Sequence, residues 1–278
     1  MPTSGYDLAL SLRSGFFLKT LDCFLGEVAA LAGAVEKKSP DEYVSEIDLK
    51  IQRDFRHFVE AHDVPKYPVL GEEGCDEWPP RSEDAWVIDP LDGTHPFLMG
   101  FPNFGISVIL IESRKVVFVS IFLPVEFLLQ RSGFYYAARG RGAWKFSANE
   151  AEAPVRLHVS GTKDLKEAAL LVDGPTRYRT NSEFVRDLIP RVRKSYHCFA
   201  GSVWGSTRIA AASTLPNPAD LYINIRSKPW DNLPGALLVE EADGIVVGLD
   251  GAPYSIENYE TLLYGNQALV GEALRVGA

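Results

Sequence analysis

Asp89-Pro90-Leu91-Asp92-Gly93-Thr94 sets two carboxylates three residues apart on a turn, directly after the apolar run Ala85-Trp86-Val87-Ile88. Core packing gives no reason to put two acids at a strand end ahead of a proline turn. A divalent cation does, because hard cations need several oxygen ligands gathered in one place. The hexapeptide therefore reads as half of a metal site, and the other ligands should lie elsewhere in the chain.

Further acids qualify. Gly71-Glu72-Glu73-Gly74 follows Val69-Leu70, so its glutamates sit at a strand end beside a turn, and Trp230-Asp231-Asn232 precedes a helical stretch. Asp48 falls in the first turn of another. Singly, each has a plain structural account: Asp48 and Asp231 as helix-start acids favoured by the helix dipole, Glu72 and Glu73 as solvated turn charges. The metal reading rests on their convergence in one pocket. His57, His62, His95, His158 and His197 show no HxH or HExxH spacing, and His95 alone is expected near the site.

The elements that must position these groups can be read from apolar spacing. Leu10, Phe17, Leu21, Phe24, Val28, Leu31 and Val35 predict an amphipathic helix over about 7–35. Ile47, Ile51, Phe55, Phe58 and Val59 predict a second, from about Ser45 to His62. From Phe104 to Ala138 the runs Ile106–Ile111, Val116–Phe122, Phe127–Gln130 and Phe134–Ala138 predict an antiparallel meander. Beyond about Glu150, strands at Leu170–Val172, Leu221–Ile225 and Ile245–Val247 alternate with helices near Ser182–Leu188, Val203–Ser213 and Asn232–Ala242, an α/β pattern. Ser147–Pro154 and Pro216–Pro218 read as connectors.

Composition narrows the function. With 46% apolar and 23% charged residues over 278 positions, the chain has an ordinary globular make-up with ample core. A formal net charge of −9 argues against a nucleic-acid polymer as partner, and a site handling phosphates must then supply local positive charge, which bound metal ions would do. No run approaches a membrane span, the first residues lack the pattern expected of a secretory signal, and three scattered cysteines suggest a reduced, cytoplasmic setting.

Together the motifs resemble the inositol monophosphatase family of metal-dependent phosphomonoesterases. Trp86 to Thr94 matches its first signature, Trp230 to Gly244 its second, Gly71 to Glu73 its Gly-Glu-Glu element and Asp48 its helix-start aspartate. The resemblance implies an α/β (α+β) fold, a layered αβαβα sandwich of the inositol monophosphatase/fructose-1,6-bisphosphatase type. Residues 1–278 would form one catalytic domain, α+β to about residue 150 and α/β beyond, in a homodimer. It also implies two or three Mg²⁺ ions: Glu72, Asp89 and the Leu91 carbonyl on the first, Asp89, Asp92 and Asp231 on the second, Glu72 assisting a third. Asp48, Glu72 and Thr94 would serve catalysis, and Gly93 and Thr94 N–H groups would receive phosphate alongside Asp92. The implied reaction is hydrolysis of a small phosphorylated metabolite (a polyol, cyclitol or sugar monophosphate) by activated water, with Li⁺ inhibition. The alternatives are a 3′(2′),5′-bisphosphate nucleotidase and a non-catalytic binding homologue.

A substrate-binding Gly-Ser element is matched by Gly201-Ser202, with Gly205-Ser206 as competitor; either pair also suits a helix cap. Three positions depart from the family pattern. His95-Pro96-Phe97 follows the Gly-Thr, Ile47 precedes Asp48, and Asn224 stands where inositol-using relatives commonly place an acid that binds substrate hydroxyls. None removes a proposed ligand.

Overall fold

The structure is a computed structural model that describes residues 4–21, 35–39, 42–75, 77–149 and 151–277. Strands β1 (Val35–Ser39) and β2 (Glu42–Ser45) pair antiparallel ahead of the helix Glu46–Ala61. A seven-stranded sheet follows, built in chain order from β3 (Val69–Gly71), β4 (Ala85–Asp92), β5 (Gly105–Glu112), β6 (Lys115–Phe122), β7 (Phe134–Ala138), β8 (Gly142–Lys145) and β9 (Val155–Arg156). β4 to β9 form an antiparallel meander and β3 joins β4 in parallel. The second, five-stranded sheet contains β10 (Ala169–Asp173), β11 (Lys194–His197), β12 (Leu221–Asn224), β13 (Ile245–Gly248) and β14 (Leu262–Gly265), in the order β11-β10-β12-β14-β13. β11, β10 and β12 are parallel; β14 and β13 close the sheet antiparallel.

Side-chain alternation along these strands produces five layers. Val87, Ile109, Val119, Ile121 and Tyr135 face a central core shared with Tyr222, Leu262 and Tyr264 of the second sheet. The helices Ser202–Ala210 and Pro229–Glu241 pack on each other inside that core, between the two sheets. Trp86, Ile88, Val108, Leu110 and Phe122 point the other way, onto the helices Gly5–Leu12 and Glu46–Ala61. Leu170, Val172, Leu221, Ile223 and Leu263 meet the helices Glu183–Leu188 and Gln267–Val276 on the far face. Both sheets are thus covered twice, which is why their strands read as continuous apolar runs. The expected αβαβα sandwich is the observed architecture. No helix among the described residues is long and apolar enough to cross a membrane.

Two expected elements differ. The first helix begins at Gly5 and passes through a π-helical turn, Arg13–Phe17. Its extra residue per turn rotates the buried stripe, so Leu8, Ala9, Leu12, Phe16 and Phe17 are buried while Leu10 is exposed. Val35 opens β1 instead of closing that helix; residues 22–34 lie outside the described residues. Phe127–Gln130 is not a strand. Pro124, with its φ fixed by the ring, starts a short helix, Pro124–Leu128, and Gln130 and Ser132 then adopt positive φ.

Candidate active site

β4 is buried along its whole length and delivers two carboxylates at its end. Its register with β5 is regular from Ala85 to Asp89, then breaks before Asp92. Pro90 has no N–H for the ladder, and Leu91 N turns inward to Asp89 Oδ1 at 3.0 Å. The irregularity re-aims both acids into a cavity of about 220 Å³ lined by Glu72, Asp89, Leu91, Asp92, Gly93, Thr94, Gly201, Ser202, Asn224 and Asp231.

Asp92 joins the two halves of the chain. Its Oδ1 and Oδ2 accept from Ser202 N and Val203 N, each at 2.8 Å, at the first turn of the central helix. Gly201 makes this approach possible: a Cβ there would stand 2.2 Å from Asp92 Oδ2. Gly93 adopts φ 90°, a left-handed conformation that suits glycine, and a Cβ would come within 2.9 Å of Gly201 N. Of the two Gly-Ser candidates, Gly201-Ser202 lines the cavity. Gly205 instead packs on the Tyr222 ring, and Ser206 Oγ donates to Val203 O in the helix.

Thr94 opens the short helix Thr94–Leu98, and its Oγ1 lies 3.0 Å from Leu91 O and 3.4 Å from Asp48 Oδ1. Asp48 is fully buried in the first turn of its helix, outside the cavity lining and behind Thr94. Pro96 occupies the first turn of its own helix, where a backbone N–H has no intrahelical acceptor, so no ladder bond is forfeited. His95 also lines the cavity, its ring edge-on to Phe199 at 5.7 Å.

Glu72 hangs on a turn fixed from behind. Gln52 clamps the Glu73 backbone through Nε2 to O at 2.7 Å and Oε1 to N at 3.0 Å. Asp231, at the third position of the Pro229–Glu241 helix, accepts from Lys228 N at 2.8 Å. Asn224 at the end of β12 donates to Ser202 Oγ and to Asn232 Oδ1, each at 2.9 Å, and accepts from Ser227 Oγ.

Among the described residues, ligand oxygens of Asp89, Asp92 and Asp231 lie within 4.8 Å of one another. Burial, then the charges of Glu72, Asp92 and Asp231, push the Asp89 carboxyl well above the usual carboxylate range. Asp92 is raised by burial and by Asp231, against the pull of its two N–H donors. Asp89 Oδ2 is buried with no hydrogen-bond donor beside it. Clustered anionic oxygens, one without a donor, are costly alone and suit a hard divalent cation. The donor set therefore fits Mg²⁺.

Asp173, Gly174, Ala200 and Ser227 line the same cavity and were not anticipated. Asp173 carried a readable signal, since it ends the apolar run Ala169–Val172 as Asp89 ends Ala85–Ile88. Burial, more than the nearby Asp231 charge, pushes its carboxyl up to about 7.

The inositol monophosphatase family model matches residues 19–275. The chain belongs to the inositol monophosphatase family. An inositol-1-monophosphatase of Rhizobium meliloti (strain 1021) is 31% identical over 92% of this chain and 90% of its own length. A Nus factor SuhB of Xylella fastidiosa (strain Temecula1) is 32% identical over 78% of this chain and 73% of its own. The solved Thermotoga maritima IMPase shares the fold with a TM-score of 0.75 at 24% identity, covering 95% of this chain and 96% of that one. Enzyme names and a factor name thus both occur among relatives of similar identity.

Proposed function

We propose that this chain is a Mg²⁺-dependent phosphomonoesterase acting on a small polyol, cyclitol or sugar monophosphate. The observation that carries the reading is the convergence of Asp89, Asp92 and Asp231 within 4.8 Å at a cavity that Glu72 also lines. Glu72, Asp89, Asp92, Asp231 and the Leu91 carbonyl are the groups that would hold two or three ions. When bound, Mg²⁺ supplies positive charge that stabilises a phosphoryl group and makes water a better nucleophile.

The chain's own residues do the rest. Thr94 Oγ1, between Leu91 O and Asp48 Oδ1, orients the attacking water, and the buried Asp48 takes its proton by way of the Thr94 hydroxyl. Glu72, on its clamped turn, assists the same activation. The N–H groups of Gly93 and Thr94 receive phosphate oxygens. Ser202, held by Asn224, positions the departing alcohol. Phosphate monoesters hydrolyse extremely slowly in water, so electrostatic preorganisation of this kind is where the acceleration must arise.

A 3′(2′),5′-bisphosphate nucleotidase is the second reading. It is favoured by an aromatic cluster that begins at the cavity: His95, which lines it, lies edge-on to Phe199, and Phe199 to Phe101, with centroids 5.7 and 5.1 Å apart. Phosphate release from inositol, sugar, glycerol and nucleoside phosphates, with and without Mg²⁺, tests both. Metal-dependent release from the polyol esters is the expected result. Release confined to nucleotides selects the second reading, and none from any ester leaves a non-catalytic binding homologue. The homodimer and cytoplasmic setting belong to the same proposal and are checked by sedimentation and cell fractionation.

A further inference from the structure

Asp173 and Asn224 are direct register partners on the parallel strands β10 and β12. Both lie at carboxyl ends of strands, where open α/β sheets bind ligands, and both line the cavity that holds the carboxylate corner. Asn224 has no spare capacity on its amide nitrogen, since both hydrogens go to Ser202 Oγ and Asn232 Oδ1. What it does is orient two hydroxyls. Ser202 Oγ accepts from Asn224, so its own proton is available to donate. Ser227 Oγ donates to Asn224 Oδ1, so its lone pairs are available to accept.

Asp173 completes this wall. Its Oδ1 accepts from Gly174 N at 2.7 Å, whereas Oδ2 has only a 3.5 Å contact with Tyr222 O–H. That second contact is at the limit of a hydrogen bond. The carboxylate is disfavoured by burial and by the Asp231 charge, which Gly174 N–H, the Arg179 guanidinium and Tyr222 O–H offset only in part, so packing alone gives it no purpose. Its position gives one: an acceptor lining the same cavity as a serine donor and a serine acceptor.

We infer that Asp173 is a specificity-determining residue that accepts a hydrogen bond from a hydroxyl of the leaving alcohol, with Ser202 and Ser227 taking neighbouring hydroxyls. The substrate class follows as phosphate esters of polyhydroxylated alcohols. The inference rests on the phosphomonoesterase reading and deepens it.

Glycerol 1-phosphate and propyl phosphate test it, since they share a carbon skeleton and differ in two hydroxyls. With Mg²⁺, wild-type protein should prefer the glycerol ester in kcat/KM by on the order of tenfold or more, the scale of a charge-assisted hydrogen bond. Asp173→Ala should abolish that preference, mainly through KM for the glycerol ester, and Asp173→Asn, which keeps one acceptor oxygen, should retain part of it. Mg²⁺ affinity by titration calorimetry should be the same in all three proteins. An absent wild-type preference overturns the inference, as does an equal loss on both esters, which would mark a structural role. A drop in Mg²⁺ affinity also overturns it, making Asp173 a metal ligand. Release from neither ester by wild type defeats the underlying phosphatase reading, and it is seen before any variant is made.

Discussion

Asp92 caps the helix that Ser202 begins, with both of its carboxylate oxygens 2.8 Å from backbone N–H groups at Ser202 and Val203. The same side chain therefore serves the fold, through a charge-assisted cap, and the site, through the lone pairs that remain.

Gly201→Ala should damage both roles at once. The added Cβ would meet Asp92 Oδ2 at 2.2 Å and Asp92 O at 2.5 Å, so the carboxylate or the helix start has to move. A loss of about 1–2 kcal/mol of stability, the scale of a lost cap, should accompany a large fall in Mg²⁺-dependent turnover. Gly161→Ala is the control, because nothing lies within 4 Å of a Cβ there. Similar melting curves for the two variants would refute the account.

Asp89→Asn should separate stability from activity. Metal-free protein gains from losing a buried like charge, because burial, Glu72, Asp92 and Asp231 all disfavour the carboxylate. Its melting temperature in EDTA should equal or exceed that of wild type. Turnover should fall more than ~100-fold, since outer-shell partners of a metal alone cost 10–100-fold. The rise in melting temperature on adding Mg²⁺ should vanish with it.

The pH dependence of the metal-free protein has a defined sign. Asp173 is pushed up to about 7 from 3.8, so between those values the native chain holds a proton that the unfolded chain has shed. The stability from this protonation is full below the unfolded pKa and is lost as pH climbs through about 7. In EDTA, melting temperature should fall across that window. Asp173→Asn should lessen the fall without removing it, because Asp89 and Asp92 are raised as well. Identical slopes for variant and wild type would contradict the assignment.

Away from the site, Glu126→Gln should destabilise strongly. Glu126 accepts from Arg208 at 2.5 Å and from Tyr135 O–H at 2.6 Å, and Lys145 lies 3.9 Å away, with these charged side chains 14–17% exposed. Neutralising the acid leaves two enclosed cations facing each other, a loss of about 3–5 kcal/mol. Glu126→Gln/Arg208→Met should recover part of it, read as the denaturation midpoint.

The candidate site was legible where its residues sit in contiguous motifs. Asp89, Asp92, Gly93 and Thr94 lie on one turn, and Asp231 and Asp48 at helix starts whose apolar spacing is plain. Asp173 ends an apolar run as Asp89 does but is followed by no motif, and what sets it at the site is β10 lying beside β12, a pairing between distant strands. The same limit applied to the fold. The meander of β4 to β8 shows in successive apolar runs broken by turns, but the π-helical turn at Arg13–Phe17 shifts the buried stripe with no marker residue. Phe127–Gln130 has strand-like composition, and there the proline at 124 outweighed it.

Asp89 and Asp92 leave the ribosome well before Asp231, which lies 139 positions beyond Asp92, half the length of the 278-residue chain. Until the later segment arrives, β4 ends in a pair of acids whose cap, Ser202, does not yet exist, so the nascent first sheet carries an open, hydrated corner. Seating the Ser202–Ala210 and Pro229–Glu241 helices against that sheet is what dries the corner and makes an ion welcome there. An ion held there would draw ligands from both segments, so its capture would follow their packing.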